Sequence, residues 1–383
     1  EKQHHDGQDH NVNLILGTQL MGAVYKFSKV DVLTEMSRVV VHLGSNHLKM
    51  RMTPSAFSKY GIKKPDYVSS ITMQAQLRPF AAAFSLPSVK FYHFWFHTFN
   101  TPSNSYLSSD WTDEGLQREY DETKEWAQYM LETYSGTHKV FMVGDWEGDS
   151  SLLRYSGCLD KDGKLLKWAE PSDEVIERAV KFALIRQRAI NDAKQETTHS
   201  DVKLLFYIEM NLGPQALAGK KGLTNSVLGR VNPDLVSYAS YLSTDEYKDA
   251  TGAVEVEEVD SAFHSVLSFI ESKLHPNPLL DDLGFDRRVF VGEHGVPRQA
   301  CKNEQQQVTA ISRTMRAALT WGCPFVLHWQ LYSSNEDKDM CLVDSFGRRN
   351  LLWHLFSDYC EAAKDFVAEW RQVDEKPPSS ERF

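Results

Sequence analysis

Long apolar runs are missing from this 383-residue chain. None approaches the ~20 residues that span a bilayer, so no membrane partner is expected. Cysteine is scarce and odd in number: residues 158, 301, 323, 341 and 360, with no C-x-x-C. That set allows at most two disulfides and suits free buried thiols equally well. No N-x-S/T sequon with a permitted middle and end occurs. The compartment therefore stays open, with an extracytoplasmic one slightly favoured over the cytoplasm. Basic runs are also absent and the formal net charge is −10. Nucleic acid is not an expected partner of such a surface, whereas a neutral or cationic ligand suits it. No internal repeat and no Pro/Gly-rich linker interrupts the middle of the chain, which favours one domain with decorated loops over two domains.

What is present is an alternation of two periods. Residues 1–11, polar and His-rich, read as a disordered leader, and 373–383 as a tail. Between them, over 12–372, short apolar runs alternate with helical patterns. Strands are predicted at Leu14–Met21, His47–Met52, Val89–His97, Lys139–Val143, Lys203–Ile208, Leu235–Tyr241, Val289–Val291 and Phe325–Gln330. Asp31 precedes Leu33, Met36, Val40 and Leu43, one face of a helix stopped by Gly44. Ser172 caps a long helix with Asp173 and Glu174 in its first turn, at the positive end of the dipole. Further helix faces run through Leu116–Tyr134, Val259–Leu274, Val308–Leu319 and Leu351–Trp370. Strands that alternate with crossover helices pair in parallel. Eight such units predict an α/β fold, a closed (β/α)8 TIM barrel.

In that barrel the chemistry belongs to the C-terminal ends of the strands. The seventh strand ends in Gly-Glu-His-Gly, which delivers Glu293 and His294; the flanking glycines allow a tight turn. The fourth ends in GDWEGD, with Asp145, Trp146, Glu147 and Asp149. The second offers Arg51, which alternates with Met50 and Met52 and so faces away from them. The third offers His93, Trp95, His97 and Asn100; the fifth Glu209 and Asn211; the sixth Tyr238 and Tyr241; the eighth His328, Trp329 and Gln330. Carboxyls from the fourth and seventh strands lie on opposite sides of the mouth, the disposition that glycosidic-bond hydrolysis requires. Trp95 and Trp329 offer flat apolar faces to a sugar, and Arg51 and Tyr241 can hydrogen-bond a carboxylate and hold it ionised.

The layout resembles the clan A glycoside hydrolases, retaining enzymes built on a (β/α)8 barrel. The resemblance spans about Leu14 to Trp370 and rests on short motifs. It implies that Glu147, in GDWEGD, is the acid/base and that Glu293, in VGEHG, is the nucleophile. It also implies ligand-facing roles for Arg51 in LKMRM, Tyr241 in VSYASY and Trp329 in LHWQLY. His93, Trp95, His97, Trp146, Glu209, Asn211 and His294 complete the expected substrate-binding set, and an oligo- or polysaccharide is the expected partner, with no cofactor or metal. The sequence departs from the clan at two places. Trp146 stands where most members have an Asn beside the acid/base, which leaves Asp145 and Asp149 open as acids, and Ala239 stands where a His sometimes occurs. Two rivals share the fold. A metal-dependent hydrolase would need His-x-His on the first strand, and LILGTQLM has no His. A barrel that binds carbohydrate without cleaving it would tolerate loss of the acid.

Overall fold

A computed structural model of the chain describes residues 12–109, 111–241, 256–277, 283–334, 339–372 and 378. The expected leader at 1–11, and the expected tail at 373–383 apart from residue 378, lie outside the described residues. Eight strands form a closed, all-parallel barrel in chain order: β1 (Leu16–Leu20), β2 (His47–Met52), β3 (Phe91–Phe96), β4 (Lys139–Gly144), β5 (Val202–Met210), β6 (Leu235–Ala239), β7 (Val289–His294) and β8 (Val326–His328). The predicted (β/α)8 architecture is the one observed. Helices over Val32–Leu43, Asp113–Thr133, Asp173–Glu196, Val256–Glu271, Glu304–Trp321 and Leu351–Trp370 cross between strands or close the ring.

Local chemistry starts and stops these helices. Asp31 accepts the Thr34 amide, Ser172 that of Val175, Asn303 that of Gln306 and Asn350 that of Trp353, each satisfying an otherwise orphaned donor. Gly44 ends the first helix at φ 99, a conformation that only glycine adopts without cost. Short helices at Ile71–Gln76 and Arg78–Phe84, between β2 and β3, were not marked by periodicity, because each is under two turns long.

Alternation along the strands sorts side chains into two shells. Outward residues such as Leu48, Met50, Tyr92, Phe94 and Phe141 join the large core beneath the helices. Inward residues Phe91, Val140, Met142, Leu205, Phe290, Phe325 and Leu327 fill the barrel floor. Above them the interior turns polar. The β2–β3 register pairs Lys49 with His93 and Arg51 with Trp95, so Lys49 lies one layer below Arg51 on the same inward face.

Strict alternation breaks where the chemistry requires it. The β7–β8 register shifts between Val291 and His294. Gly292 faces inward, since a Cβ there would stand 1.7 Å from Ser237 Oγ and 2.9 Å from Glu209 Oε2. Glu293 faces inward as well, 3.5 Å from Lys49 Nζ. A bulge that places two successive residues on one face resolves the two requirements and turns His294 to the outside.

Candidate active site

Glu293 is 2% exposed at the end of β7. Lys49 Nζ stands 3.5 Å from its Oε1, and the Tyr241 hydroxyl hydrogen-bonds it. Burial pushes its carboxyl well above the usual carboxylate range; Lys49 opposes that, while the charges of Glu209 and Glu147 add to it. Glu147 follows β4 as the N-cap of the helix Gly148–Tyr155, with φ 40 and ψ 56. This left-handed backbone is strained for a residue with a Cβ. The Glu147 amide donates to Glu209 Oε1 at 3.2 Å, which helps to hold the turn. Burial, then the Glu209 charge, raise the Glu147 carboxyl to about 7, with Lys167 and Lys49 pulling the other way.

Glu147 and Glu293 titrate together. Three carboxyls, those of Glu147, Glu209 and Glu293, share one buried ammonium. Lys49 lies 2.8 Å from Glu209 and 3.5 Å from Glu293, and its charge favours the anionic form of Glu293. Its pull on Glu147 ranks below burial, Glu209 and Lys167. Burial raises both the Glu147 and the Glu293 carboxyl, and of the two Lys49 favours the charged form of Glu293 more.

The structure also separates the three acids that follow β4. Asp145 is ion-paired with Arg186, which is itself buried against Glu119 at 2.7 Å. Asp149 accepts the backbone amides of Asn211 at 3.1 Å, Leu212 at 3.3 Å and Leu223 at 2.7 Å, so both of its oxygens are committed. Glu147 is the one of the three whose charge acts on both Glu293 and Tyr241.

Aromatic rings wall this mouth. Trp95 meets Trp146 at a centroid distance of 4.7 Å and Trp329 at 5.7 Å. Met21, Trp95, Trp329 and Met340 form one cluster, against which Tyr241 packs. Arg51 lies over Trp95 at 4.5 Å and donates its Nε–H to the Met21 carbonyl. Trp146 is 40% exposed, so one ring face is open to a ligand. The peptide between Trp329 and Gln330 is cis.

Of the expected residues, Glu147, Glu293, Arg51, Trp95, Trp146, Tyr241 and Trp329 are brought together. Others are not. His93 is wholly buried in the barrel interior, edge-on to Phe325 at 4.8 Å and tilted against His47 at 5.8 Å; burial holds it neutral. His294 packs on His328, whose Nε2 meets the Met340 carbonyl and whose ring faces Phe356, outside the barrel. Asn211 is spent on Ser150, donating to its Oγ at 2.6 Å and accepting its amide at 3.3 Å. His97 is buried among the charges of Asp145, Arg186, Glu119 and Arg51, and burial lowers it to about 4. Asn100 bonds Glu122. Tyr238 points outward towards Gly213 and packs with Phe263. Glu209 lies beneath the site, fully buried. Lys49 was missed by the sequence reading, although the alternation that turns Arg51 inward turns Lys49 inward too. Among the described residues, no three His, Cys, Asp or Glu side chains gather as a metal site, and no helix is long and apolar enough to cross a membrane.

No family model matches the chain, and no curated protein matches it in sequence. Solved structures do match. An exo-β-1,4-mannosidase from an Opitutaceae bacterium aligns at TM-score 0.57 and 13% identity over 92% of this chain, which spans only 60% of that protein. A GH5_18 protein from Bifidobacterium longum aligns at TM-score 0.58 and 11% identity, covering 96% of this chain and 81% of that one. A GH5-4 broad-specificity endoglucanase from Clostridium longisporum aligns at TM-score 0.53 and 10% identity, covering 96% and 100%. At such identities the likeness shows a shared fold: this chain has the (β/α)8 barrel of those glycoside hydrolases.

Proposed function

We propose that this protein is a retaining glycoside hydrolase acting on a β-linked oligo- or polysaccharide. One observation carries the reading. Two glutamates, from the ends of β4 and β7, share a tryptophan-lined barrel mouth, and Lys49 stands 3.5 Å from the second of them. In the first step Glu293 attacks the anomeric carbon. The bond to the leaving oxygen breaks as that oxygen takes the Glu147 proton. In the second step Glu147, now ionised, takes a proton from water, whose oxygen displaces Glu293 from the same carbon. Tyr241 and Lys49 stabilise the Glu293 carboxylate before attack and after release. Trp146, Trp95 and Trp329 receive the apolar faces of the sugar. The β linkage proposed here is the one named for the mannosidase that shares the fold.

The test is a panel of aryl β-glycosides and β-linked polysaccharides, with product anomers followed by NMR. Hydrolysis with the β-anomer formed first is the expected result. A fluorosugar with a good leaving group should label Glu293, as located by peptide mass spectrometry. First formation of the α-anomer, labelling elsewhere, or binding of sugars without any turnover would overturn the proposal.

A further inference from the structure

The buried contacts beneath the two glutamates form a continuous bridge. Glu209, on β5, is fully buried. Its Oε2 accepts hydrogen bonds from Lys49 Nζ at 2.8 Å and from Ser237 Oγ at 2.7 Å. Its Oε1 accepts the backbone amide of Glu147 at 3.2 Å. Lys49, on β2, donates as well to the Gly292 carbonyl at 2.8 Å. Side chains from β2, β5 and β6 thus tie the turn that carries Glu147 to the bulge that carries Glu293. Gly292 makes room for the bridge, because any Cβ there would collide with Ser237 and Glu209.

We propose that Lys49 and Glu209 are a buried positioning pair, which fixes the Glu147 and Glu293 carboxyls relative to each other and decides which of them carries the proton. This rests on the glycosidase reading above. Neither residue is exposed enough to meet a sugar, since both side chains are 0% accessible. A buried ion pair is a poor source of stability, because desolvation offsets the attraction. Here both oxygens of Glu209 have donors and Lys49 hydrogen-bonds both Glu209 and the Gly292 carbonyl, with Glu293 Oε1 3.5 Å away, so the pair is held from several strands.

The charges acting on Glu293 come from Lys49 on β2, Glu209 on β5, and Glu147 after β4; Tyr207 on β5 and Tyr241 after β6 are titratable groups near it. Those acting on Glu147 come from Glu209, Lys167, Lys49 and Asp149. Lys49 lowers both carboxyls and Glu209 raises both. The acid limb of kcat/KM reports the nucleophile losing its proton, and the alkaline limb reports the acid losing its own.

The experiment measures kcat/KM against pH for wild type, Lys49→Met, Glu209→Gln and the double variant, with circular dichroism of each. Lys49→Met should move both limbs to higher pH, by about one unit or more for the loss of a close opposite charge. Glu209→Gln should move both to lower pH. The double variant should return them towards wild type, and Lys49→Arg should leave them in place. Glu209→Gln keeps one acceptor, for the Glu147 amide, and turns an NH2 group towards Lys49 and Ser237; it supplies the second measurement if Lys49→Met fails to fold. Active single variants with wild-type limbs, whatever their rates, would overturn the inference while sparing the glycosidase reading. Absence of wild-type turnover on every glycoside would overturn that reading, and this pair's role with it.

Discussion

Replacing Glu147 by Gln keeps the shape of the side chain and removes the proton. Burial and the Glu209 charge raise the wild-type carboxyl to about 7, so half of the enzyme holds the catalytic proton at that pH. Two units higher roughly one molecule in a hundred does, and kcat/KM on a substrate with a poor leaving group should fall about 100-fold. In Glu147→Gln that alkaline limb should disappear. At the wild-type optimum the loss should be about 10²- to 10⁴-fold on an alkyl or disaccharide leaving group. It should be much smaller for the first step with a dinitrophenyl leaving group, which departs without a proton. The second step also needs Glu147 as base, so a glycosyl-enzyme should accumulate, and azide should restore turnover and yield a β-glycosyl azide. Stability should move the other way. A carboxyl whose folded value is raised from 4.5 to about 7 favours the fold below pH 4.5, and that contribution is lost as pH rises through 7. The Gln variant should therefore melt at a higher temperature than wild type at pH 8, with the difference shrinking towards pH 4. Steady-state kinetics across pH and thermal melts of both proteins measure these effects. A variant that cleaves poor and good leaving groups at wild-type rates, or that keeps the limb near 7, would refute the role given to Glu147.

Asp149→Asn should leave a donor facing the Leu223 amide in a buried turn, costing about 2 kcal/mol or more; urea unfolding checks the loss, and activity should fall with the population of the ordered turn. Trp146→Ala removes a half-exposed ring, so stability should change little. KM should rise about tenfold, on the order of 1.4 kcal/mol of lost ring contact, with the melting temperature held within a degree or two.

Glu293 and Trp329 were legible as residues of the barrel mouth because a short apolar strand ending in a polar or aromatic residue is a local pattern, and barrel topology then assigns its direction. His93 and His294 misled for a related reason. Period-two alternation along VKFYHFWFH puts His93 on the same inward face as Trp95, but one layer lower, at a depth that periodicity does not encode. At His294 the β-bulge reverses the alternation, and a bulge depends on how a neighbouring strand pairs.

From sequence alone came the closed alternating barrel, the boundaries of its long helices and the strand ends that carry acids, since hydrophobic period and capping chemistry act between residues close in the chain. Only the tertiary structure committed Asp145 and Asp149 to partners of their own, bonded Asn211 to Ser150, buried Glu209 beneath the mouth and set Lys49 beside Glu293. Those choices depend on partners far apart in sequence: Arg186 for Asp145, the Leu223 amide for Asp149, and Lys49 for Glu209 across 160 residues. Charge and hydrogen bonding depend on distances in space, and closing the ring is what brings those groups within reach of one another.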